Sequence, residues 1–469
     1  MHWAVWLLMG YLTAIVLGLL VFVVNSFQER EPRAVRVGLF LLSSTMVLAL
    51  VIIFQGNGIS EGLLPLVYLV DVLATLLLLL MVLPFGRNPE AKKGTMSYIE
   101  GEVKRFDERD TIFARIRSLR PGTREYEEYY AIHPDIKEGD DERRSLGGLL
   151  GVPGYIDRHN QVNLAMLHAL NSFPQLLGKD EVVTPQPKGQ PLEIDPKELS
   201  KRVKGFARHL GADLVGIAKL NPLWIYSHQG EIFYGNWEDW GKENRLDHSF
   251  AVVIATEMDR GMVMTRPHTP ATIESMANYC KGAAIAVQLA AFLANLGYQA
   301  TAHHFRHYDV ICVPIAVDAG LGELGRNGYL ITREFGPRVR LAVVTTNANL
   351  VPDKPVDLGV QHFCKYCKKC AASCPSRSIP TGEKTVVNGI RRWKLEAETC
   401  SAYWARVGTD CCICMAVCPW SHPRTLTHRL STYFATRSAF ARRVLIWLDD
   451  LFYGTYKRKW YGPEWCRYK

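Results

Sequence analysis

Cys364-x2-Cys367-x2-Cys370-x3-Cys374-Pro375, then Cys400, then Cys411-x2-Cys414-x3-Cys418-Pro419 is the stretch whose reading decides the fold. Eight thiols at these intervals match the run that wraps two four-iron, four-sulfur clusters, in which the last Cys of each run, before Pro, crosses to ligate the other cluster. The short spacings let successive thiolates reach adjacent corners of one cube. Crossing assigns one cluster to Cys364, Cys367, Cys370 and Cys418, and the other to Cys374, Cys411, Cys414 and a fourth ligand. A symmetric ferredoxin places that fourth thiol at position 408, where Gly408 stands; Cys400 is the natural replacement, reaching in from a separate loop. Cys412 lies beside a ligand and reads as a spare, because adjacent thiols rarely point at the same iron. The competing readings are a zinc site or disulfides, and zinc sites lack the x3-Cys-Pro ending.

The surrounding chain of 469 residues is long enough for two or three domains. Of its 12 cysteines only Cys280, Cys312 and Cys466 fall outside the cysteine-rich stretch, a usage that fits a reducing compartment. The net charge of +9 is modest and not gathered into an arm that would bind nucleic acid; it suits an anionic membrane face. Three apolar stretches, Trp3 to Val24, Val37 to Phe54 and Leu63 to Leu83, are each long enough as helices to cross a hydrocarbon core of ~30 Å. No small-residue cleavage site or basic leader marks the first as a signal peptide, and no twin-arginine motif precedes it. Arg30, Arg33 and Arg36 follow the first span, the loop Gln55 to Gly62 carries no Lys or Arg, and Arg87, Lys92 and Lys93 follow the third. That distribution predicts a multi-pass anchor in the inner (cytoplasmic) membrane with the soluble remainder facing the cytoplasm. His2 is the one histidine of this part, so paired axial ligands for a transmembrane haem are absent. Asp71 is the single carboxylate within a span, open to a proton or quinone role or to a hydrogen bond with a neighbouring helix or subunit.

The expected divisions are an anchor at 1–93, an N-terminal soluble segment and linker at 94–192, an α/β domain at 193–355, a ferredoxin-like α+β domain at 356–424 and an aromatic, basic segment at 425–469. Asp195-Pro196-Lys197-Glu198 opens a helix to His209 with an N-cap, a proline at the first helical position and the Glu of a capping box. Strands are expected at Ala212 to Ala218, Ala251 to Thr256, Val310 to Ile315 and Val339 to Thr345. Thr269-Pro270 begins a long helix ending near Gly297, with an apolar face of Ile273, Met276, Ala277, Ala284, Val287, Ala291 and Leu296. Alternating strand and helix make the middle domain α/β. The C-terminal segment, with Trp447, Phe452, Tyr453, Trp460 and Trp465, either lies on a membrane or packs over the cluster domain or at a homodimer contact; Asp449 and Asp450 interrupting its basic face favour packing.

Lys104-Arg105-Phe106-Asp107 with Thr111-Ile112-Phe113-Ala114-Arg115, Gly211 to Gly216, Asp318 to Arg326, Glu334 to Arg340 and Trp404 to Trp420 together resemble the reductive dehalogenases, from about Ser97 onward. The resemblance implies a corrinoid and iron-sulfur enzyme that removes halide from an organohalide, with cobalamin bound base-off in a nitroreductase-like α/β domain beside two four-iron clusters. It also implies an external low-potential electron donor. Exported members typically carry a twin-arginine signal and use a separate small anchor protein; here the anchor is fused. No Asp-x-His-x-x-Gly run is present, in agreement with a lower cobalt face free of protein histidine.

The same resemblance supplies roles. Its proton-donating tyrosine lies on the helix before a Leu-Gly-Tyr turn, which points to Tyr279 ahead of Leu296-Gly297-Tyr298, and its assisting cation matches Arg338 best. A phenol ionises near pH ~10, so a close guanidinium that stabilises the phenolate eases proton donation. The family places a polar side chain soon after the turn, where His303, His304 and His307 stand; His304 is the expected cofactor neighbour. Trp404 is expected to wall a substrate channel, or equally to pack on a cluster. The run Gly320-x-Gly322-x2-Gly325 is a weak dinucleotide fingerprint, and Gly322 and Gly325 are read instead as points of close backbone approach to a cofactor or cluster. The rivals are an epoxyqueuosine-reductase-like enzyme and a membrane-bound electron carrier with no substrate of its own.

Overall fold

The computed structural model of the chain describes residues 3–55, 61–146, 155–456 and 460–469; His2 and most of the loop expected at 55–62 lie outside them. Its contacts gather into two units, each assembled from separate pieces of chain: Met1–Asn88, Leu358–Cys367 and His422–Arg458 in one, Pro89–Asp357, Lys368–Ser421 and Lys459–Lys469 in the other.

Three apolar helices open the first unit: α1 (Trp3–Gln28), α2 (Pro32–Gln55) and α3 (Leu64–Val82). Each is long and apolar enough to cross a membrane, and little of each is buried inside the protein. Helices apolar all round whose side chains face outward are what a hydrocarbon solvent selects. A fourth helix meets the same length criterion, but over half of it is buried in the second unit. Tyr11 and Thr75 share a hydrogen bond of 2.7 Å between α1 and α3. Asp71 faces into the bundle, 4% exposed, and its carboxylate oxygens have no hydrogen-bond partner among the described residues.

The second unit begins with polar segments and continues with α4 (Gln161–Leu177), α5 (Pro196–His209), β1 (Leu214–Lys219), β2 (Phe250–Glu257), α6 (Thr269–Asn295), β3 (Ala300–His303), α7 (Cys312–Asp318), β4 (Gly322–Leu324), β5 (Leu330–Thr332) and β6 (Val339–Thr346). Asp195 caps α5 as expected, accepting from Lys197 and Glu198 N–H at 3.0 Å. The main sheet has the order β1-β2-β6-β3 with antiparallel neighbours throughout. Side chains alternate along β2, so Val252 and Ile254 enter the core under α5 and α6, with Leu199, Val203, Ile285, Leu289 and Leu293. Ala251, Val253 and Ala255 enter the opposite core with Ile315 and Val317 of α7. This unit is a mixed α/β fold.

Two expectations change here. The apolar run Val310 to Ile315 is not a strand: residues 312–318 form α7. A short apolar run fits both periods, and Pro314, which has no N–H for a strand ladder, is tolerated in a first helical turn. The buried face of α6 is the expected one at Ile273 and Met276 but is rotated from it further along the helix. Ala283, Ile285, Ala286, Leu289, Ala290 and Leu293 are fully buried, while Ala284, Val287 and Ala291 are half-buried. The cap of α6 comes from afar, Asp157 accepting from the Thr269 N–H at 2.7 Å and its hydroxyl at 2.8 Å.

The cysteine-rich stretch supplies α8 (Val360–Cys367) to the first unit, and α9 (Lys369–Ala372), α10 (Ala397–Val407) and α11 (Ile413–Ala416) to the second. Lys368 and Cys412 both take the left-handed conformation, φ 54° and 56°, immediately before the one-turn helices α9 and α11. The two runs thus repeat one local shape. The first unit is completed by α12 (Leu426–Arg437) and α13 (Ala439–Tyr453).

Candidate active site

The thiols of the second unit converge. Burial and then the charge of Cys374 push the Cys400 thiol up to about 11. Burial, with Cys400 and Cys374 among its neighbours, pushes Cys411 up to about 12. Cys414 is raised well above the thiol range by burial, then by Cys411, Cys370 and Cys400. Against the effect of burial, Cys374 is lowered by the Ser376 hydroxyl and by N–H groups of Ser378, Ile379 and Ser376. These thiols are half-buried and oppose one another's ionisation, a situation that a cationic iron-sulfur core would relieve. No disulfide joins any of the cysteines. Cys364 and Cys367 lie one turn apart on α8.

Cys400 is on a helix rather than the expected loop, and that helix is tied down. Arg115 donates to Asp140 at 2.7 Å and to Glu398 at 2.6 Å, and Arg143 pairs with both carboxylates. Glu398, itself 42% exposed, stands two residues before Cys400, so the buried Arg115 and Arg143 orient the thiol-bearing turn through it. At the other end of α10, Gly408 has φ 63° and its N–H donates to the Trp404 carbonyl at 2.7 Å. A left-handed C-cap is the position where glycine costs least, which accounts for the missing thiol at 408. Cys412 points away into an apolar cluster with Met258, Val263, Met415 and Ala416.

Tyr279 is half-buried on α6, its ring 4.9 Å from that of Phe305. The guanidinium over it belongs to Arg340 of β6, 4.9 Å from the ring centroid. Arg340 donates to Ser275 at 2.5 Å, one turn before Tyr279, and is ion-paired to Asp410, the residue preceding Cys411. The Asp410 N–H donates to Thr272 at 3.0 Å. One buried network therefore links the phenol, the cation and the turn carrying the thiols. Burial raises the Tyr279 phenol above its ordinary value, and Arg340 opposes that rise. Among the described residues its hydroxyl makes no hydrogen bond.

Arg338 is not brought to Tyr279. It donates to the Ser421 carbonyl and to Glu257, both at 3.0 Å, and to the Met258 carbonyl. These acceptors hold it at the mouth of β6. The other expected neighbours are also occupied elsewhere. His304 uses both nitrogens locally, Nε2 with the Leu177 carbonyl at 3.1 Å and Nδ1 accepting from the Arg306 N–H at 3.4 Å. Burial lowers it to about 4, so it is a neutral hydrogen-bonding residue. A side chain at Gly322 would meet the Ile331 carbonyl oxygen at 2.2 Å, and one at Gly325 would meet Ile331 Cγ1 at 2.8 Å. The close approach is to the β4–β5 hairpin itself. Trp404 stacks on Phe113, ring centroids 6.1 Å apart.

A cleft of about 320 Å³ opens in the same unit, lined among others by Glu108, Glu231, Phe233, Arg306, Tyr308 and Asp309. Arg306 of its lining lies 4.9 Å over Phe305, the ring that packs on Tyr279; neither ring is among the lining residues. Sequence reasoning missed Arg340, Asp410 and Phe305. The signal for Arg340 was the Arg338-Val339-Arg340 triplet, where a choice between the two arginines needed the fold.

The second unit is a mixed α/β fold with a phenol–guanidinium–carboxylate network beside a group of cysteine thiols. No family model matches the sequence. Among curated relatives, the tetrachloroethene reductive dehalogenase of Dehalobacter restrictus is 33% identical over 314 residues, covering 57% of this chain and 57% of the relative. That of Sulfurospirillum multivorans is 33% identical over 296 residues, covering 55% and 58%. The chain spans just over half the length of these relatives. A solved catabolic reductive dehalogenase in complex with 3-bromo-4-hydroxybenzoic acid superposes with a TM-score of 0.60 and 27% identity, covering 77% of this chain and 49% of that one. Epoxyqueuosine reductase of Lactococcus garvieae matches only 24% of this chain, at 30% identity. By sequence and fold together, the chain is similar to the reductive dehalogenases.

Proposed function

We propose that the protein is a membrane-anchored reductive dehalogenase that replaces a halogen of an organohalide with hydrogen. The observation that carries this reading is the Tyr279–Arg340–Asp410 network joined to the thiol-bearing turn, in a chain whose relatives are tetrachloroethene reductive dehalogenases. The iron-sulfur groups would be held by Cys364, Cys367, Cys370 and Cys418, and by Cys374, Cys400, Cys411 and Cys414. For one solved reductive dehalogenase the chemistry is B12-dependent dehalogenation, and a corrinoid suits this site because the Tyr279 hydroxyl is left without a protein partner among the described residues. When bound, the corrinoid would supply a low-potential cobalt centre for two-electron cleavage of the carbon–halogen bond, fed one electron at a time through the clusters.

The chain's own residues do the rest. Tyr279 delivers its phenolic proton to the carbon that halide leaves, and Arg340 stabilises the phenolate left behind. Asp410 and Ser275 fix Arg340, whose charge persists in a buried site. Phe305 seats the phenol ring and limits water around it. Arg338 is a structural cation in this scheme. The three apolar helices hold the protein in the inner membrane with the catalytic unit on the cytoplasmic side, and the electron donor is external. Purified, reconstituted protein given a low-potential donor and a panel of aryl and alkyl halides should release free halide; absence of halide across the panel, with clusters and corrinoid present, defeats the assignment.

A further inference from the structure

We propose that the C-terminal hairpin α12–α13 is an interfacial element that seats in the headgroup layer of an anionic phospholipid membrane. The inference rests on reading α1, α2 and α3 as membrane spans. Its starting point is an unpartnered stripe. Leu426, Leu430 and Tyr433 of α12, at i, i+4 and i+7, are 54%, 49% and 44% exposed, and Trp447 of α13 is 60% exposed. Residues at this spacing share one helix face. The opposite face does the packing: the Thr427 hydroxyl accepts from Asn25 at 2.8 Å, the Thr425 hydroxyl donates to Glu29 at 3.0 Å, and Ala435 is buried.

Those partners fix the depth. Asn25 lies in the last turn of α1, and the Ser438 hydroxyl following α12 donates at 2.6 Å to the carbonyl of Leu80, inside the last turn of α3. The hairpin thus lies beside the ends of two apolar helices, at the level where they leave the hydrocarbon. Its outward stripe meets the boundary between headgroups and acyl chains, where aromatic and long aliphatic side chains are favoured.

The charges agree with an anionic layer. Arg429 is exposed next to Leu430, and Arg437 folds over the Tyr433 ring at 4.3 Å. Arg443 is exposed one turn before Trp447. The two carboxylates that interrupt the basic run do not spoil it. Asp449 is buried, 2.7 Å from His422 Nε2, and Asp450 takes the Thr455 hydroxyl at 3.3 Å. Near an anionic surface each arginine adds to the attraction.

The test uses the full chain in lipid nanodiscs of mixed phosphatidylcholine and phosphatidylglycerol, with a photoreactive benzoylphenylalanine placed at Leu430, at Trp447 or, as a control, at exposed Lys201. The expected result is lipid adducts at the first two positions and none at Lys201. Phosphatidylglycerol should be enriched in those adducts over its mole fraction by about fivefold, the equivalent of ~1 kcal/mol, and the enrichment should fall several-fold in Arg429→Ala. Cross-links from Leu430 and Trp447 to protein, whether a partner or a second copy, overturn the proposal, as does absence of any lipid adduct. Alkaline carbonate extraction of the native membranes separates the two readings: release of the chain defeats the membrane-span reading itself, whereas retention without adducts defeats only the hairpin.

Discussion

Arg340 lies 4.9 Å above the ring of Tyr279, while Arg338, two residues earlier, turns to Glu257 at 3.0 Å. The two arginines should therefore separate in kinetics. Tyr279→Phe removes the proposed proton donor and is expected to lower turnover by about 100-fold or more. Arg340→Met should lower turnover to a similar order and move the alkaline limb of the pH–rate profile upward, since the phenol loses the cation that opposes the effect of burial. Full turnover in Arg340→Met would remove it from the mechanism.

Arg338→Met is expected to behave as a stability defect. It leaves the carbonyls of Met258 and Ser421 without their donor and Glu257, 35% exposed, without its cation, a loss of about 2 kcal/mol from the buried carbonyls. Thermal unfolding should move down while the pH–rate profile of surviving enzyme keeps its shape. A changed profile with an unchanged midpoint would reverse the roles assigned to the two arginines.

Cys400 and Cys412 make a matched pair for cluster content. Cys400→Ala removes a thiol from the group formed with Cys374, Cys411 and Cys414, so the purified protein should hold about half the wild-type iron and lose one paramagnetic signal on reduction. Cys412→Ala sits in an apolar pocket with Met258 and Met415 and should keep both. Equal iron in the two variants contradicts the assignment of Cys400.

The Arg115 network should govern the same thiol at a distance. Arg115→Met leaves Asp140, fully buried, with less compensation and frees Glu398 on the Cys400 helix. Breaking a buried pair from one side costs about 3–5 kcal/mol. A lower unfolding temperature together with faster bleaching of the iron-sulfur absorbance under oxygen is expected, and a cluster lifetime equal to wild type would detach the network from the thiol.

Acid stability follows from two histidines. Burial lowers His303 to about 3 and His304 to about 4, so the folded protein keeps both neutral where the unfolded chain, ionising near pH ~6.5, takes up protons. The unfolded state binds more protons in that interval, so stability is complete above about pH 6.5 and falls as pH drops toward 4, by roughly 2 kcal/mol per histidine near pH 5. Chemical unfolding followed across this range should show the slope flatten in His304→Gln. An unaltered slope in that variant would show that His304 is not held neutral.

Spacing along the chain determined what is local here. Thiols three and four residues apart have the spacing by which a short turn can aim them at one cube, three long apolar stretches make helices suited to lipid, and alternation along β2 sends Val252 and Val253 to opposite cores. The resemblance to reductive dehalogenases, carried by short motifs from Lys104 to Trp420, was also legible without coordinates. Only tertiary structure decided what depends on distant neighbours. Val310 to Ile315 had an apolar pattern consistent with strand or helix, and packing under the sheet made it α7. Arg338 and Arg340 differ in no local property, and the choice between them fell to the carbonyls around Arg338 and to Ser275 and Asp410 around Arg340. Periodicity reports which way a side chain points from its own backbone; which charge, ring or carbonyl it meets there is set by segments tens of residues away in sequence.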